Sequence, residues 1–228
     1  MNAVITGDLV KSGSIIQDDW SNLLSDLKSA FTDIGKTIIG KENSFEIYRG
    51  DSFQCLLEKP QDALLIALLI RAKVRSFVPS KNGKKFLLQA YSDVRISLGI
   101  GTAGTITDKV TESKGTAFEL SGRQLDRMKK KNLRILITTT DTEVNSELYA
   151  LCMLADAVVS QWSPNQAEVI YRYLLENKSQ QELAAYFGIS QPAIRQRLVV
   201  YGKIASIEAF LDRYRTIIEK MIQEKTPK

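Results

Sequence analysis

The segment Ser179-Gln180-Gln181-Glu182-Leu183-Ala184-Ala185-Tyr186-Phe187-Gly188-Ile189-Ser190-Gln191-Pro192-Ala193-Ile194-Arg195-Gln196-Arg197-Leu198 constrains the chain more tightly than any other part of it. Ser179 can cap a first helix that carries Leu183 inward. Ala184 is small where two helices must approach closely. Gly188 can take the left-handed turn conformation at little cost, which stops that helix. Ile189 is the buried turn residue, and Ser190 caps a second helix with Ile194 and Leu198 at i and i+4 facing inward. Gln191, Ala193, Arg195, Gln196 and Arg197 are left on its other faces. Upstream, Trp162-Ser163-Pro164 combines a break, a capping serine and a proline at the first helical position. Pro164–Glu176, with Ala167, Ile170, Leu174 and Leu175, predicts a supporting helix. Ile204–Ile222 predicts a long amphipathic helix, able to pack within the chain or against a second copy.

These residues resemble a helix-turn-helix of the bacterial regulator and sigma-factor kind. The resemblance implies double-stranded DNA as partner. Side chains near the start of the second helix would reach base edges, where Arg suits guanine and Gln suits adenine. The DNA-binding candidates are Gln191, Arg195, Gln196 and Arg197. A plain helical hairpin and a protein-interaction module are the alternatives. Charge leans the same way as DNA binding. Residues 161–228 hold ten Lys/Arg against seven Asp/Glu, within a whole-chain net charge of +5.

The first two-thirds reads differently. Asn2–Gly7 has the profile of a buried strand, and Trp20, Leu23, Leu24, Leu27 and Phe31 recur at helical spacing. Ser44–Arg49 and Ser52–Leu57 flank Gly50-Asp51 as a tight hairpin. A helix starts near Pro60, and Val94–Ile100 alternates as a half-exposed strand. Phe118–Met128 predicts a helix, Leu133–Thr138 a strand and Thr142–Val159 a helix. The fold class is therefore α+β. A ferredoxin-like βαββαβ domain over 1–160, with its linking helix, precedes an all-α domain over 161–228.

Composition removes much chemistry. Histidine is absent, so no Ser-His-Asp triad, His base or His metal ligand exists. Two cysteines, Cys55 and Cys152, read as small buried hydrophobes. Any metal is a hard cation held by carboxylates, meaning magnesium, manganese or calcium. No run approaches the ~18 apolar residues of a membrane span. The N-terminal residues lack the pattern of a signal peptide, so no membrane association and a cytoplasmic location are expected.

Asp8 ends the first strand and Asp51 lies in the hairpin turn. With the first strand central and beside the strand entering the hairpin, both carboxylates converge at one sheet edge. Such a pair suits magnesium or manganese carrying phosphates. Lys11 and Ser12 would meet phosphate at a helix N-terminus, and Arg49 would contact phosphate or a carboxylate. Turn and capping roles are the plain alternatives for both aspartates. The cluster Arg127-Met128-Lys129-Lys130-Lys131 reads as the cationic end of a helix. With Lys81, Lys84 and Lys85 it is also able to extend a nucleic-acid footprint.

Four segments resemble the class III nucleotide cyclase and GGDEF catalytic fold, in order, over roughly residues 2–138. They are Val4–Asp8, Arg49-Gly50-Asp51-Ser52-Phe53, Val94–Gly101 and Gly115–Leu125. The resemblance implies a nucleotide ligand, metal ligation by Asp8 and Asp51, a site formed between two subunits, and Arg123 as the candidate transition-state arginine. Glu119 stands where cyclases carry asparagine, and the base-selecting Lys/Asp pair has no counterpart around Phe45–Tyr48 or Glu112–Thr116. These departures point to retained metal ligands with incomplete turnover machinery. The whole layout resembles the bacterial SatD-like family. The expectation is a homodimeric DNA-binding regulator whose first domain senses a nucleotide. A metal-dependent cyclase or nucleotidyltransferase and a non-catalytic adaptor are the alternatives.

Overall fold

The computed structural model describes residues 1–10, 17–42, 44–48, 50–78, 92–105, 110, 113–131 and 133–225. Among these, five strands form one sheet: β1 (Asn2–Leu9), β2 (Phe45–Tyr48), β3 (Ser52–Leu57), β4 (Val94–Gly101) and β5 (Ile135–Thr139). Their spatial order is β2-β3-β1-β4-β5. β1 runs antiparallel to β3 and to β4, and β4 runs parallel to β5. The helices α1 (Gln17–Ile34), α2 (Ala63–Ser76), α3 (Thr116–Lys131) and α4 (Thr142–Val159) alternate with these strands. Then come α5 (Pro164–Glu176), α6 (Gln180–Phe187), α7 (Gln191–Arg195) and α8 (Ile204–Lys225). The architecture is α+β, a sheet half followed by a helical half.

Strand alternation sorts the sheet into two covered faces. Ala3, Ile5 and Leu9 join Phe53, Cys55, Leu57, Val94, Ile96, Leu98 and Ile100 in the main core, under α1 and α2. Gly7 lies on that face because any side chain there would strike the Phe53 ring, 2.3 Å from an added Cβ. The opposite face meets α3. Val4 packs with Ala117 and Phe118. One helical turn on, Thr6 Oγ1 donates to Ser121 Oγ at 2.9 Å while accepting from Gln54 Nε2 at 3.0 Å. Gly99 lets α3 sit directly on β4: an added Cβ would lie 2.1 Å from the Ala117 carbonyl oxygen.

Two expectations change here. β4 is covered on both faces, and Ser97 is fully buried; a later helix, α3, supplies the cover. β1 pairs with β3, the strand leaving the hairpin, in the register Asp8↔Ser52. The entering strand β2 lies outside β3 at the sheet edge.

α2 is apolar around almost its whole circumference because it is buried on both sides. The sheet lies against one side and α5 against the other. Arg71 and Arg75 are its two buried charges. The Arg71 guanidinium donates to both carboxylate oxygens of Asp93 (2.9 and 3.1 Å), to Asp156 of α4 and to Ser160 Oγ at 2.9 Å. Arg75 donates to Asp93 Oδ2 at 3.2 Å and to the carbonyls of Ser160 and Trp162 at 3.0 and 2.7 Å. Trp162 is fully buried, and its Nε1–H donates to the Gly202 carbonyl at 3.0 Å. One hydrophobic core therefore continues past residue 160 into the helical half. α8 buries Leu211, Tyr214, Ile217, Ile218 and Met221 against the rest of the chain, and Tyr214 OH donates to the Pro60 carbonyl at 2.6 Å. Its apolar face is thus satisfied within one chain. Among the described residues no helix is long and apolar enough to cross a membrane.

Candidate nucleic-acid interface and the carboxylates at the sheet end

Local capping defines the breaks from α5 to α7. At the start of α5, Gln166 Oε1 accepts the Ser163 backbone N–H at 2.9 Å. Asn177, at φ +50°, ends that helix. At α6, Ser179 Oγ accepts from the Glu182 N–H, and the Glu182 carboxylate accepts from the Ser179 N–H at 2.8 Å. The Ser179 hydroxyl, donating at 2.7 Å, and the Ser179 backbone N–H together hold the Glu182 carboxyl below its ordinary range. Gly188 closes α6 at φ +63°, and the Ile189 N–H donates back to the Ala184 carbonyl at 3.1 Å. Ser190 caps α7, accepting from the Ala193 N–H at 3.4 Å. Leu183, Ile194 and Leu198 are buried where the two helices cross. This is a helix-turn-helix, with α5 behind it and α7 in the recognition position.

The recognition helix does not stop at Leu198. Its ladder widens to a π turn over Gln196–Tyr201 before Gly202 ends it. Gly202 is packed so tightly that an added Cβ would lie 2.5 Å from the Arg197 carbonyl oxygen. Gln191, Arg195 and Gln196 are exposed, and Arg197 is half-buried on the flank of the same helix. Among the described residues, none of Arg195, Arg197 and Lys203 pairs with a carboxylate. Neighbouring cations are committed elsewhere. Arg172 bridges Glu168 and Glu176, and Lys178 pairs with Glu176. Both also lie over the Tyr186 ring, at 5.1 and 4.9 Å from its centre. Sequence reasoning missed the exposed Val199, Val200 and Tyr201 beyond Leu198. Their signal was the apolar run Val199-Val200-Tyr201 itself, placed too close to Gly202 to belong to a following helix.

At the other site, the register brings Asp8 and the Asp51 turn to one end of the sheet. The Leu9 N–H donates to the Asp51 carbonyl at 3.0 Å, and Ser52 Oγ donates to Asp51 Oδ1 at 3.3 Å. Asp8 is buried and already neutralised. Arg95 donates to both its oxygens, at 2.8 and 3.2 Å, and Lys129 Nζ lies 3.2 Å from Oδ2. Arg123 lies exposed on α3 and faces Glu119 at 3.8 Å, one turn earlier. Among the described residues no three Cys, Asp or Glu side chains gather as a metal cage. Lys11, Ser12, Arg49, Lys81, Lys84 and Lys85 lie outside the described residues. Both cysteines are buried, and burial raises both thiols, Cys152 to about 12.

The helical geometry agrees with what the chain is similar to. Residues 159–199 match the family model for sigma-70, region 4. The match runs from the last residue of α4 through the supporting helix to the π turn of the recognition helix. No curated protein sequence matches the chain at a significant level.

Proposed function

We propose that the chain is a DNA-binding regulator that reads double-stranded DNA with α7 and its π-turn extension. The observation that carries this reading is the sigma-70 region 4 match on a helix-turn-helix whose recognition face is exposed and whose Arg195, Arg197 and Lys203 meet no carboxylate among the described residues. Arg195 and Gln196 fit base-edge contacts in the major groove, with Gln191 beside them at the helix start. Arg197 and Lys203 suit flanking phosphates. Paired half-sites about one helical turn apart would suit a homodimer.

The sheet half is read as a ferredoxin-like, cyclase-like sensor of a nucleotide. The order β2-β3-β1-β4 with antiparallel neighbours supports that topology. Asp8 and Asp51 stand at one sheet end, as a shared magnesium or manganese site would require. Binding there means that Asp8 exchanges Arg95 and Lys129 for the ion. The Glu119–Arg123 pair sets a carboxylate beside the arginine a transferring phosphate would need, which favours sensing over turnover.

The test is selection of bound sequences from a random duplex library by the full chain, followed by a salt titration on the selected site. An enriched motif with a steep negative salt slope supports the reading. No enrichment, with flat salt dependence, would leave the helix-turn-helix as a protein-interaction module.

A further inference from the structure

A second set of cations without a carboxylate partner among the described residues lies far from the recognition helix in sequence and borders a cavity. α3 crosses β1 and β4 and only borders β5, the edge strand on that side. Between the C-terminal turns of α3, the outer face of β5 and the start of α4 lies an open cleft of about 250 Å³. Met128 and Leu136 are among its apolar lining, and Tyr149 of α4 forms one wall while remaining half-exposed. Arg127 and Lys131, one helical turn apart, line it as well.

Three features separate this cleft from an ordinary basic helix end. First, among the described residues neither Arg127 nor Lys131 has a carboxylate partner, whereas Lys129 on the same turn is used on Asp8. Second, the cations stand beside an apolar floor and an aromatic wall, where an anion carried on a flat apolar body gains from both ends. Third, the strand edge is closed at one end of the cleft. Asn145 Oδ1 accepts the Thr139 N–H at 2.7 Å and its Nδ2 donates to the Thr139 carbonyl at 3.0 Å. A fixed amide there keeps a further strand from pairing with that end of the edge. The C-terminus of α3 by itself repels an anion, so the attraction must come from the Arg127 and Lys131 side chains.

We infer that this cleft binds a small organic anion: a phosphate or carboxylate head on a single flat, apolar ring. Its volume falls just below the ~300 Å³ lower bound of pockets for drug-sized ligands, which suits one ring better than a whole mononucleotide. The site stands apart from Asp8 and Asp51 and does not depend on the DNA-binding reading.

The experiment is calorimetric titration of the full chain with phenyl phosphate, benzoate and inorganic phosphate, repeated on Arg127→Ala/Lys131→Ala and on Tyr149→Ala. These side chains are exposed, and unchanged circular dichroism would establish that the variants fold. One saturable site for phenyl phosphate or benzoate is expected, and which head binds tighter identifies the source chemistry. Inorganic phosphate should bind at least tenfold more weakly. The double variant should lose at least tenfold, and Tyr149→Ala several-fold. Absence of saturable binding by both aromatic anions overturns the inference. So does equal affinity for inorganic phosphate, or undiminished binding by the double variant. If the double variant instead loses duplex DNA affinity and neither aromatic anion binds, Arg127 and Lys131 belong to a nucleic-acid footprint and the inference falls.

Discussion

The arginines of α2 and those of the recognition helix are the same residue type in opposite situations. Arg71 and Arg75 are buried, and their guanidiniums are met by Asp93, Asp156 and the carbonyls at the end of α4. Arg195 and Arg197 stand on a helix that buries Ile194 and Leu198 against the rest of the chain, and no carboxylate answers them among the described residues. A buried guanidinium must be paired, because removing it from water costs several kcal/mol. An exposed one carries no such obligation, because water solvates it, and it stays available to an external anion at little cost. The junction of the two halves thus uses arginine for architecture, whereas the arginines of α7 and its π turn stand where the proposed DNA contacts would need them.

The largest effect should come from breaking the first group. Arg71→Ala leaves Asp93 and Asp156 facing a buried gap and should cost about 3–5 kcal/mol of stability. Urea unfolding with an unchanged slope would measure it. A loss below about 1 kcal/mol would show that the junction is wetter and less dependent on charge than its geometry implies.

The second group should behave in the reverse way. Arg195→Ala with Arg197→Ala should leave stability within about 0.5 kcal/mol, because Arg195 is exposed, Arg197 is only half-buried and neither pairs with a carboxylate among the described residues. Affinity for a selected DNA site should fall by about 1–3 kcal/mol for each base-contacting arginine. Loss confined to the salt slope, with specificity intact, would reassign both residues to phosphates. Unaltered affinity would remove them from the interface.

How much of this was readable in the sequence follows the same division. The helix-turn-helix was legible because its determinants are local: Ser163, Ser179, Gly188 and Ser190 each act within a few residues of themselves. The bounds of α4 and α5 were legible for that reason too. What depends on distant partners was not. The cover over Ser97 comes from α3, and the pairing of β1 with β3 rather than β2 depends on how the hairpin folds back. Asp8 ends a strand as expected, but its two cationic partners, Arg95 and Lys129, stand on other elements. The junction network joins residues 71, 75, 93, 156 and 160, whose individual surroundings look unremarkable in sequence.

Smaller effects test whether the recognition face owes its position to those local caps. Ser179→Ala removes the hydroxyl that accepts the Glu182 N–H and should cost about 1 kcal/mol, as N-cap removals do. Chemical denaturation would read this directly. A neutral result would mean that packing of Leu183 alone sets the start of α6.

The smallest effect is also the most specific to the capping box. The Ser179 hydroxyl and backbone N–H hold the Glu182 carboxyl below its ordinary value of 4.5. A carboxylate with a depressed folded-state pKa contributes stability that is fully present above its unfolded value and is lost as pH falls through the folded one. The stability difference between the native chain and Glu182→Gln should therefore hold between pH 7 and 5 and shrink as pH falls below 4.5. Using the difference cancels the other carboxylates that protonate over the same range. Glu182 is fully exposed, so the change is small and salt should weaken it further. A difference that stays constant down to pH 3 would show that the Glu182 charge contributes nothing to the cap. The recognition helix would then be positioned from the core side, through Leu183, Ile194 and Leu198, rather than from its capped ends.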